Sequence, residues 1–450
     1  RETNSVVKMK GFSPLTAMAI VVANMVGTGI FTSLGFQLID IRSPFVITML
    51  WLVGGVTALC GALSYAELAA RLPRSGGEYN FLARTYHPLA GFISGWISVT
   101  IGFAAPTALA AITFAAYLSA TFEGIPRTGV AVGLVIALTV MHCLSRATSG
   151  RMQRVMTGLK VGLILLFCTL VGLFAGDPQS FSLMPKVGDE KLLFSGAFAI
   201  SLIYVNYAYT GWNAATYIAG EIDDPQKNLP LILIGGTLIV MALYLLLNIS
   251  FLYGAPMDAM VGKIEIGFVV ADHAFGEQAA GVMGFVLSLM LISTVSAMTL
   301  AGPRVLQVIG EDFSAFRFLA GVRNGVPVKA ILFQSSLAIL FIVTGSFESI
   351  LIFSGFVLGI NTLFAVLGVY VLRYRKIGEE SRYRTLGYPL TPAIYLSVTL
   401  WTLIYILINR PQEGWVGLGL ILAGCLVYIV TTRAQVGVIV ARDKQVPPSL

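Results

Sequence analysis

Long apolar runs alternate with short polar connections from one end of the chain to the other. Runs of the length needed to cross a bilayer as helices predict twelve spans, at residues 14–38, 44–70, 89–121, 129–144, 155–175, 193–220, 229–253, 278–309, 328–344, 349–372, 389–408 and 415–432. No charged or Pro/Ser-rich block sets off a soluble unit, so residues 1–450 read as one all-α integral membrane domain. Two of the runs are interrupted. "NMVGTGIF" (24–31) places two glycines around a threonine in the first span, and "NYAYTGWNAATYIAGE" (206–221) places Thr210-Gly211 and Trp212-Asn213 in the sixth. Such residues lower helix propensity over a whole turn. Unwound backbone survives at bilayer depth only where protein or a cavity shields it from lipid.

The two interruptions stand in matching places if spans one to five (14–175) are repeated by spans six to ten (193–372), with two further spans (389–432) appended. Five is odd, so the second copy starts on the opposite side of the membrane and the repeat is inverted. Paired breaks in corresponding spans point to the binding site of a secondary transporter. Taken singly, each glycine equally suits close helix packing. Unwinding at Gly27-Thr28-Gly29 frees N–H groups and exposes the positive end of the following half-helix, which suits a carboxylate. Unwinding from Tyr207 to Gly211 frees carbonyls at the negative end of the preceding half-helix, which suits an ammonium. A backbone site with those two poles is shaped for an α-amino acid, and a β-carbon at Gly27 or Gly29 is expected to obstruct both the unwound backbone and the ligand.

Composition agrees: 56% of residues are hydrophobic, 11% charged, and the mean hydropathy is +0.84. With both termini in the cytoplasm, most of the 29 Lys and Arg fall on that side while the acids divide evenly, so the net charge of +7 is that of a positive-inside membrane protein and not of a nucleic-acid binder. Cys60, Cys143, Cys168 and Cys425 lie in or beside apolar runs without CxxC spacing, which predicts neither a metal site nor a disulfide framework. Nothing resembles a cleavable signal peptide, and no cofactor motif is present.

The motifs, taken together, resemble those of the amino acid, polyamine and organocation superfamily, and within it the L-type amino acid transporters and their bacterial relatives. "VGTGIF" is similar to that family's G-[ST]-G-I-F in the first helix, "SYAELAARLPRSGGEY" (64–79) to its signature after the second, "YAYTGWN" with "EIDDPQKNLP" to the sixth helix and its exit, and "ALYLLLN" (242–248) to the seventh. The resemblance implies a leucine-transporter-like fold of five plus five inverted helices with helices one and six broken, and alternating access. It further implies that Val26, Gly27, Thr28, Gly29 and Ile30 hold the substrate carboxylate, and that the Tyr207, Ala208 and Thr210 carbonyls beside Gly211 hold the amino group. The Tyr207 ring then acts as a gate. L-type members usually carry Phe at that gate and Gly where Thr210 stands, which leaves the preferred side chain open. Lys160 in "TGLKVGLIL" matches a lysine that occupies sodium's place in these transporters, where it would tie helix five to the first helix near Gly27 with Tyr244 as a hydrogen-bonding neighbour. The other reading of Lys160 is a side chain snorkelling toward the interface. The loop "EGIPRTG" lacks the cysteine by which animal members link a partner subunit, so no disulfide-linked partner is expected.

Other polar residues have plainer readings. Glu67, Arg71, Arg74, Glu78 and Lys227 are explained by surface solvation or capping at the cytoplasmic face, with gating ion pairs the alternative. Tyr209 and Trp212 read as interface or packing aromatics, with direct substrate contact the alternative. Hydroxyls of Ser293, Thr294 and Ser296 are expected to bond their own helix, and His87, His142 and His273 are not placed for a proton relay. The expected function is secondary transport of neutral L-amino acids, sodium-independent by exchange or proton-linked, in a prokaryotic inner membrane. Small-molecule substrate and lipid bilayer are the only partners expected. Cationic amino acids or polyamines are the alternative within the fold, and a channel or membrane-embedded enzyme the alternatives outside it. No Asp or Glu stands in the middle of a span to balance a cationic side chain.

Overall fold

Proline and hydroxyl residues set where several helices begin. Pro44 occupies the first turn of Pro44–Arg71 while the Ser43 side chain accepts the Val46 N–H at 3.3 Å, and Ser346 and Ser349 form a reciprocal capping box at the start of Phe347–Arg375. The computed structural model describes residues 13–72, 77–144, 150–213, 216, 222, 224–323, 325–378 and 383–443. Among them are 18 helices: α1 Pro14–Met25, α2 Gly29–Asp40, α3 Pro44–Arg71, α4 Glu78–Thr85, α5 Pro88–Ile97, α6 Ala104–Thr121, α7 Arg127–Leu144, α8 Gly150–Phe174, α9 Asp189–Leu193, α10 Gly196–Tyr209, α11 Pro225–Gly254, α12 Met257–Met260, α13 Ile266–Phe275, α14 Glu277–Asp312, α15 Val328–Thr344, α16 Phe347–Arg375, α17 Leu390–Asn409 and α18 Pro411–Asp443. A π-helical turn, Ser98–Gly102, joins α5 to α6 within the third run.

Eight described helical stretches are long and apolar enough to cross a membrane: Pro44–Arg71, Pro88–Thr121, Arg127–Leu144, Lys227–Gly254, Glu277–Asp312, Phe347–Arg375, Leu390–Asn409 and Pro411–Thr431. The difference from twelve has a physical cause. The first run is divided into α1 and α2 and the sixth ends as a helix at Tyr209, so neither offers one long helix. The fifth and ninth runs appear as shorter apolar helices, Gly158–Phe174 and Val328–Thr344. Exposed apolar side chains such as Leu173, Val282 and Leu422 cover the outward faces, as hydrocarbon surroundings require. The chain is an integral membrane protein.

Inside, α3 lies along α11 and α6 along α14, with α1 against α11 and α10 against α2 and α3. Buried Trp51, Tyr209 and Tyr244 pack where α3, α10 and α11 meet, with ring centroids 5.0 Å apart for Tyr209–Tyr244 and 5.7 Å for Trp51–Tyr244. The Trp51 indole donates to Gln37 Oε1 at 3.0 Å, so that aromatic wedge is fastened to α2 beyond the first break.

Candidate functional site

Only Val26, Gly27 and Thr28 separate α1 from α2. Within that interval the Gly27 N–H bonds back to the Met25 carbonyl at 2.8 Å. Thr28 has helical torsions and no side-chain cap is present, so N–H groups from Thr28 to Ile30 have no carbonyl partner within α2. In the sixth run α10 ends at Tyr209, and the chain turns through Thr210 and Gly211, whose φ of 106° lies in the left-handed region that glycine tolerates. The rest of that run lies outside the described residues apart from 212, 213 and 216.

The breaks cross in contact. A β-carbon on Gly29 would stand 2.5 Å from Ala208 Cα, and one on Gly211 would stand 2.8 Å from the Asn24 backbone. The Ser33 hydroxyl donates to the Gly29 carbonyl at 2.6 Å and reaches the Tyr204 carbonyl at 3.2 Å. Gly27 differs from expectation: its β-carbon would meet Thr294 Cγ2 at 3.8 Å and the Met25 oxygen at 3.9 Å, ordinary contacts. The protein's own packing therefore demands glycine at 29 and not at 27, because α10 passes over the first residue of α2 and not over the residues before it.

Tyr207 and Thr28 join hydroxyl to hydroxyl at 2.7 Å, bridging the breaks on one side. On the other side the Tyr244 hydroxyl of α11 lies 2.6 Å from the Met25 carbonyl and 2.7 Å from the Ala208 carbonyl. One proton serves both, so Tyr244 pins the end of α1 to the end of α10. The Tyr207 carbonyl accepts from the Thr210 N–H at 3.0 Å, so it and the Ala208 carbonyl each keep a second lone pair, whereas the Met25 carbonyl faces both the Gly27 N–H and the Tyr244 hydroxyl.

Lys160 is buried to 6% exposure, and its ammonium donates to Thr294 Oγ1 of α14 at 2.8 Å. The expected hydrogen bond to Tyr244 is not formed, because that hydroxyl faces the two break carbonyls instead. Thr294 lies behind the first break, its methyl being the group nearest to Gly27. The expectation that the α14 hydroxyls serve their own helix also fails in part: Ser296 bonds His142 of α7 at 2.8 Å, while the Ser293 hydroxyl is buried without a partner among the described residues.

Two carboxylates read from sequence as solvated are buried. Glu67, 1% exposed, receives both Arg373 Nε (2.9 Å) and Nη2 (2.8 Å), the Thr385 N–H (2.8 Å) and the Thr385 hydroxyl (2.7 Å), with Arg71 at 3.4 Å. It ties the end of α3 to α16 and to the connection that follows. There, burial pushes the Tyr383 hydroxyl up to about 12 and keeps it a donor to the Leu63 carbonyl. Glu78, at the start of α4, accepts from Tyr65 at 3.2 Å and from the Asn213 amide just past the second break. Trp212 and Tyr209 pack as expected, Trp212 against Tyr65 with centroids 4.6 Å apart. Lys227 is exposed, and Arg74 lies outside the described residues. No cluster of His, Cys, Asp and Glu that could hold a metal ion occurs among the described residues. Arg373, Thr385 and Asn213 lie more than a hundred positions from the carboxylates they bind, and only the acid's position near a helix end hinted at them.

Residues 12–431 match the Amino acid permease family. Rat large neutral amino acids transporter small subunit 2 is 29% identical over 444 residues, covering 92% of this chain and 79% of the relative. Mouse b(0,+)-type amino acid transporter 1 is 26% identical over 450 residues, covering 97% and 90%. The serine/threonine exchanger SteT of Bacillus subtilis is 26% identical over 423 residues, covering 92% and 95%.

Proposed function

Because the chain belongs to the Amino acid permease family and is an amino acid transporter rather than an enzyme, we propose that it moves neutral L-amino acids by alternating access, with the crossed breaks as the substrate site. The single observation that carries the site is the crossing itself. The N–H groups opening α2 and the carbonyls closing α10 are held against each other by Gly29, Gly211 and Tyr244. The substrate carboxylate takes the Val26–Ile30 end and the ammonium takes the second lone pairs of the Tyr207, Ala208 and Thr210 carbonyls beside Gly211. Tyr207 then exchanges its bond with Thr28 for contact with the substrate, acting as the gate.

The five-plus-five inverted repeat gives the breaks their matching positions, with spans 389–432 outside it. The twelve-span topology puts both termini in the cytoplasm of a prokaryotic membrane. Closure of the outer approach is supported by Phe36, stacked between Tyr204 (5.5 Å) and Phe347 (5.4 Å), with Tyr204 also bonding Glu348 at 3.0 Å. Lys160 and Thr294 occupy the place behind the first break where a coupling cation would sit, so transport is sodium-independent. The neutral preference rests on the buried acids near the path: Glu67 and Glu78 are engaged with Arg373, Thr385, Asn213 and Tyr65. No disulfide-linked subunit is proposed, since the 123–129 loop has no cysteine. Counterflow in proteoliposomes tests the reading: unlabelled neutral amino acid inside should drive uptake of labelled alanine, serine or leucine. Absence of exchange, or stronger inhibition by putrescine than by these amino acids, would refute it.

A further inference from the structure

Several hydroxyls around the two breaks are committed to backbone. Thr32 donates to the Thr28 carbonyl at 3.1 Å, Ser33 to the Gly29 carbonyl at 2.6 Å and Thr210 to the Asn206 carbonyl at 3.1 Å, the local bonds that helical hydroxyls usually make. Tyr244 directs its proton between the Met25 and Ala208 carbonyls. Thr28 and Tyr207 instead bond each other, at 2.7 Å across 179 positions of sequence, and neither hydroxyl has a further partner among the described residues. Two hydroxyls carry two protons and one bond uses one of them, so the pair keeps a donor proton and acceptor lone pairs. Thr28 is 4% exposed and stands at the start of α2, whereas Tyr207 is half-buried.

Thr28 belongs to the carboxylate pole of the crossed breaks and Tyr207 to the ammonium pole. A ligand gripped at both poles has its α-carbon between them, and the Tyr244 clasp closes the gap on the other side. Its side chain therefore leaves past Thr28 and Tyr207, and the first atoms beyond the α-carbon must part their bond. We propose that the Thr28–Tyr207 pair selects β-hydroxy amino acids, serine and threonine, by admitting the substrate hydroxyl as a third member between its own two. The inference rests on the transport reading above and names the side chain within it. A β-hydroxyl accepts from one protein hydroxyl and donates to the other, so two bonds replace the parted one. A methyl in the same place parts the bond and replaces nothing, leaving both hydroxyls unpaired in a shielded site, and a site so built rejects the ligand that lacks the hydroxyl. The half-buried phenol is the member with room to withdraw, so displacement of the gate and recognition of the hydroxyl are one event.

The test is competition against labelled alanine exchange in proteoliposomes. The competitors are two pairs with and without the hydroxyl, serine with alanine and threonine with valine, and O-methylserine, which keeps the oxygen and loses the proton. Wild type should favour serine over alanine and threonine over valine by about tenfold or more, with O-methylserine weaker than serine. Tyr207→Phe and Thr28→Val should each bring both preferences below about threefold, and Thr28→Ser, which keeps a hydroxyl at 28, should preserve them. All three variants lie in the site and are expected to slow exchange, so the preferences and not the rates carry the result, and the wild-type panel decides the selectivity even for a variant that does not fold. A wild type that binds both members of each pair equally, preferences that survive either Tyr207→Phe or Thr28→Val, or the same loss in Thr28→Ser as in Thr28→Val overturns the proposal while leaving the transporter reading intact. A wild type that exchanges no amino acid removes that reading, and this inference with it.

Discussion

Gly29→Ala and Gly27→Ala separate helix crossing from ligand contact. The new β-carbon at position 29 would lie 2.5 Å from Ala208 Cα, 2.8 Å from its Cβ and 2.9 Å from its nitrogen. Carbon atoms prefer about 3.5–4.0 Å, so the helices must part by about 1 Å, and backbone cannot rotate aside as a side chain can. Overpacking of this kind costs about 1–3 kcal/mol, of which the better helix propensity of alanine offsets at most about 1 kcal/mol. A net loss of about 1–2 kcal/mol is expected, together with at least a tenfold loss of substrate affinity, since about 1 Å of misplacement is enough to spoil a binding geometry. Gly27→Ala meets only contacts of 3.8 Å and 3.9 Å, so the unliganded fold should stay within about 0.5 kcal/mol of wild type. Its affinity should still fall, because a side chain at 27 narrows the backbone conformations open to the unwound turn whose N–H groups must reach the substrate carboxylate. Thermal unfolding in detergent and equilibrium binding of labelled substrate measure both quantities. A Gly29→Ala protein as stable and as tight-binding as wild type would refute the crossing as the element that shapes the site.

Three further outcomes follow from the same geometry. Tyr244→Phe keeps the ring among Trp51 and Tyr209 but leaves the Met25 and Ala208 carbonyls without their shared donor, so stability should fall by about 1–3 kcal/mol with a larger proportional fall in exchange rate; equal rates would show that the hydroxyl is idle. Lys160→Ala should leave wild-type and variant uptake alike indifferent to replacing sodium by choline, while slowing exchange severely. Strict sodium dependence of the wild type, or a fully active variant, would contradict the role given to the ammonium. Glu67→Ala leaves Arg373 without its carboxylate at the end of α3 and should destabilise the protein by about 3–5 kcal/mol, read as lowered resistance to thermal unfolding; a change below about 1 kcal/mol would mean that solvent replaces the partner.

Both breaks were legible because glycine beside threonine or asparagine in an apolar run conflicts with helix formation, a local property. Which glycine does what was not legible. "GTG" reads symmetrically, whereas the crossing of α10 over α2 closes on Gly29 and leaves room at Gly27. Polar partners were equally hidden. Glu67 and Glu78 sit near helix ends and read as solvated, yet residues more than a hundred positions away bury them. Lys160 was expected near the first break from the family resemblance alone; its partner Thr294 and the separate engagement of Tyr244 depend on how α8, α11 and α14 meet. Span counting from hydropathy saw runs and not helices, so it could not separate a continuous crossing helix from two halves.

Whether the crossed breaks grip both α-groups at once is tested most directly by deleting those groups one at a time from the ligand. Inhibition of labelled alanine exchange should be compared for alanine, propionate, ethylamine and alanine methyl ester on the purified, reconstituted protein. Each lost charged group removes a charge-assisted contact of about 1.5–3 kcal/mol, so the three analogues should bind about tenfold to a hundredfold more weakly than alanine. An analogue missing either pole that inhibits as well as alanine would contradict a site with a carboxylate pole at α2 and an ammonium pole at α10.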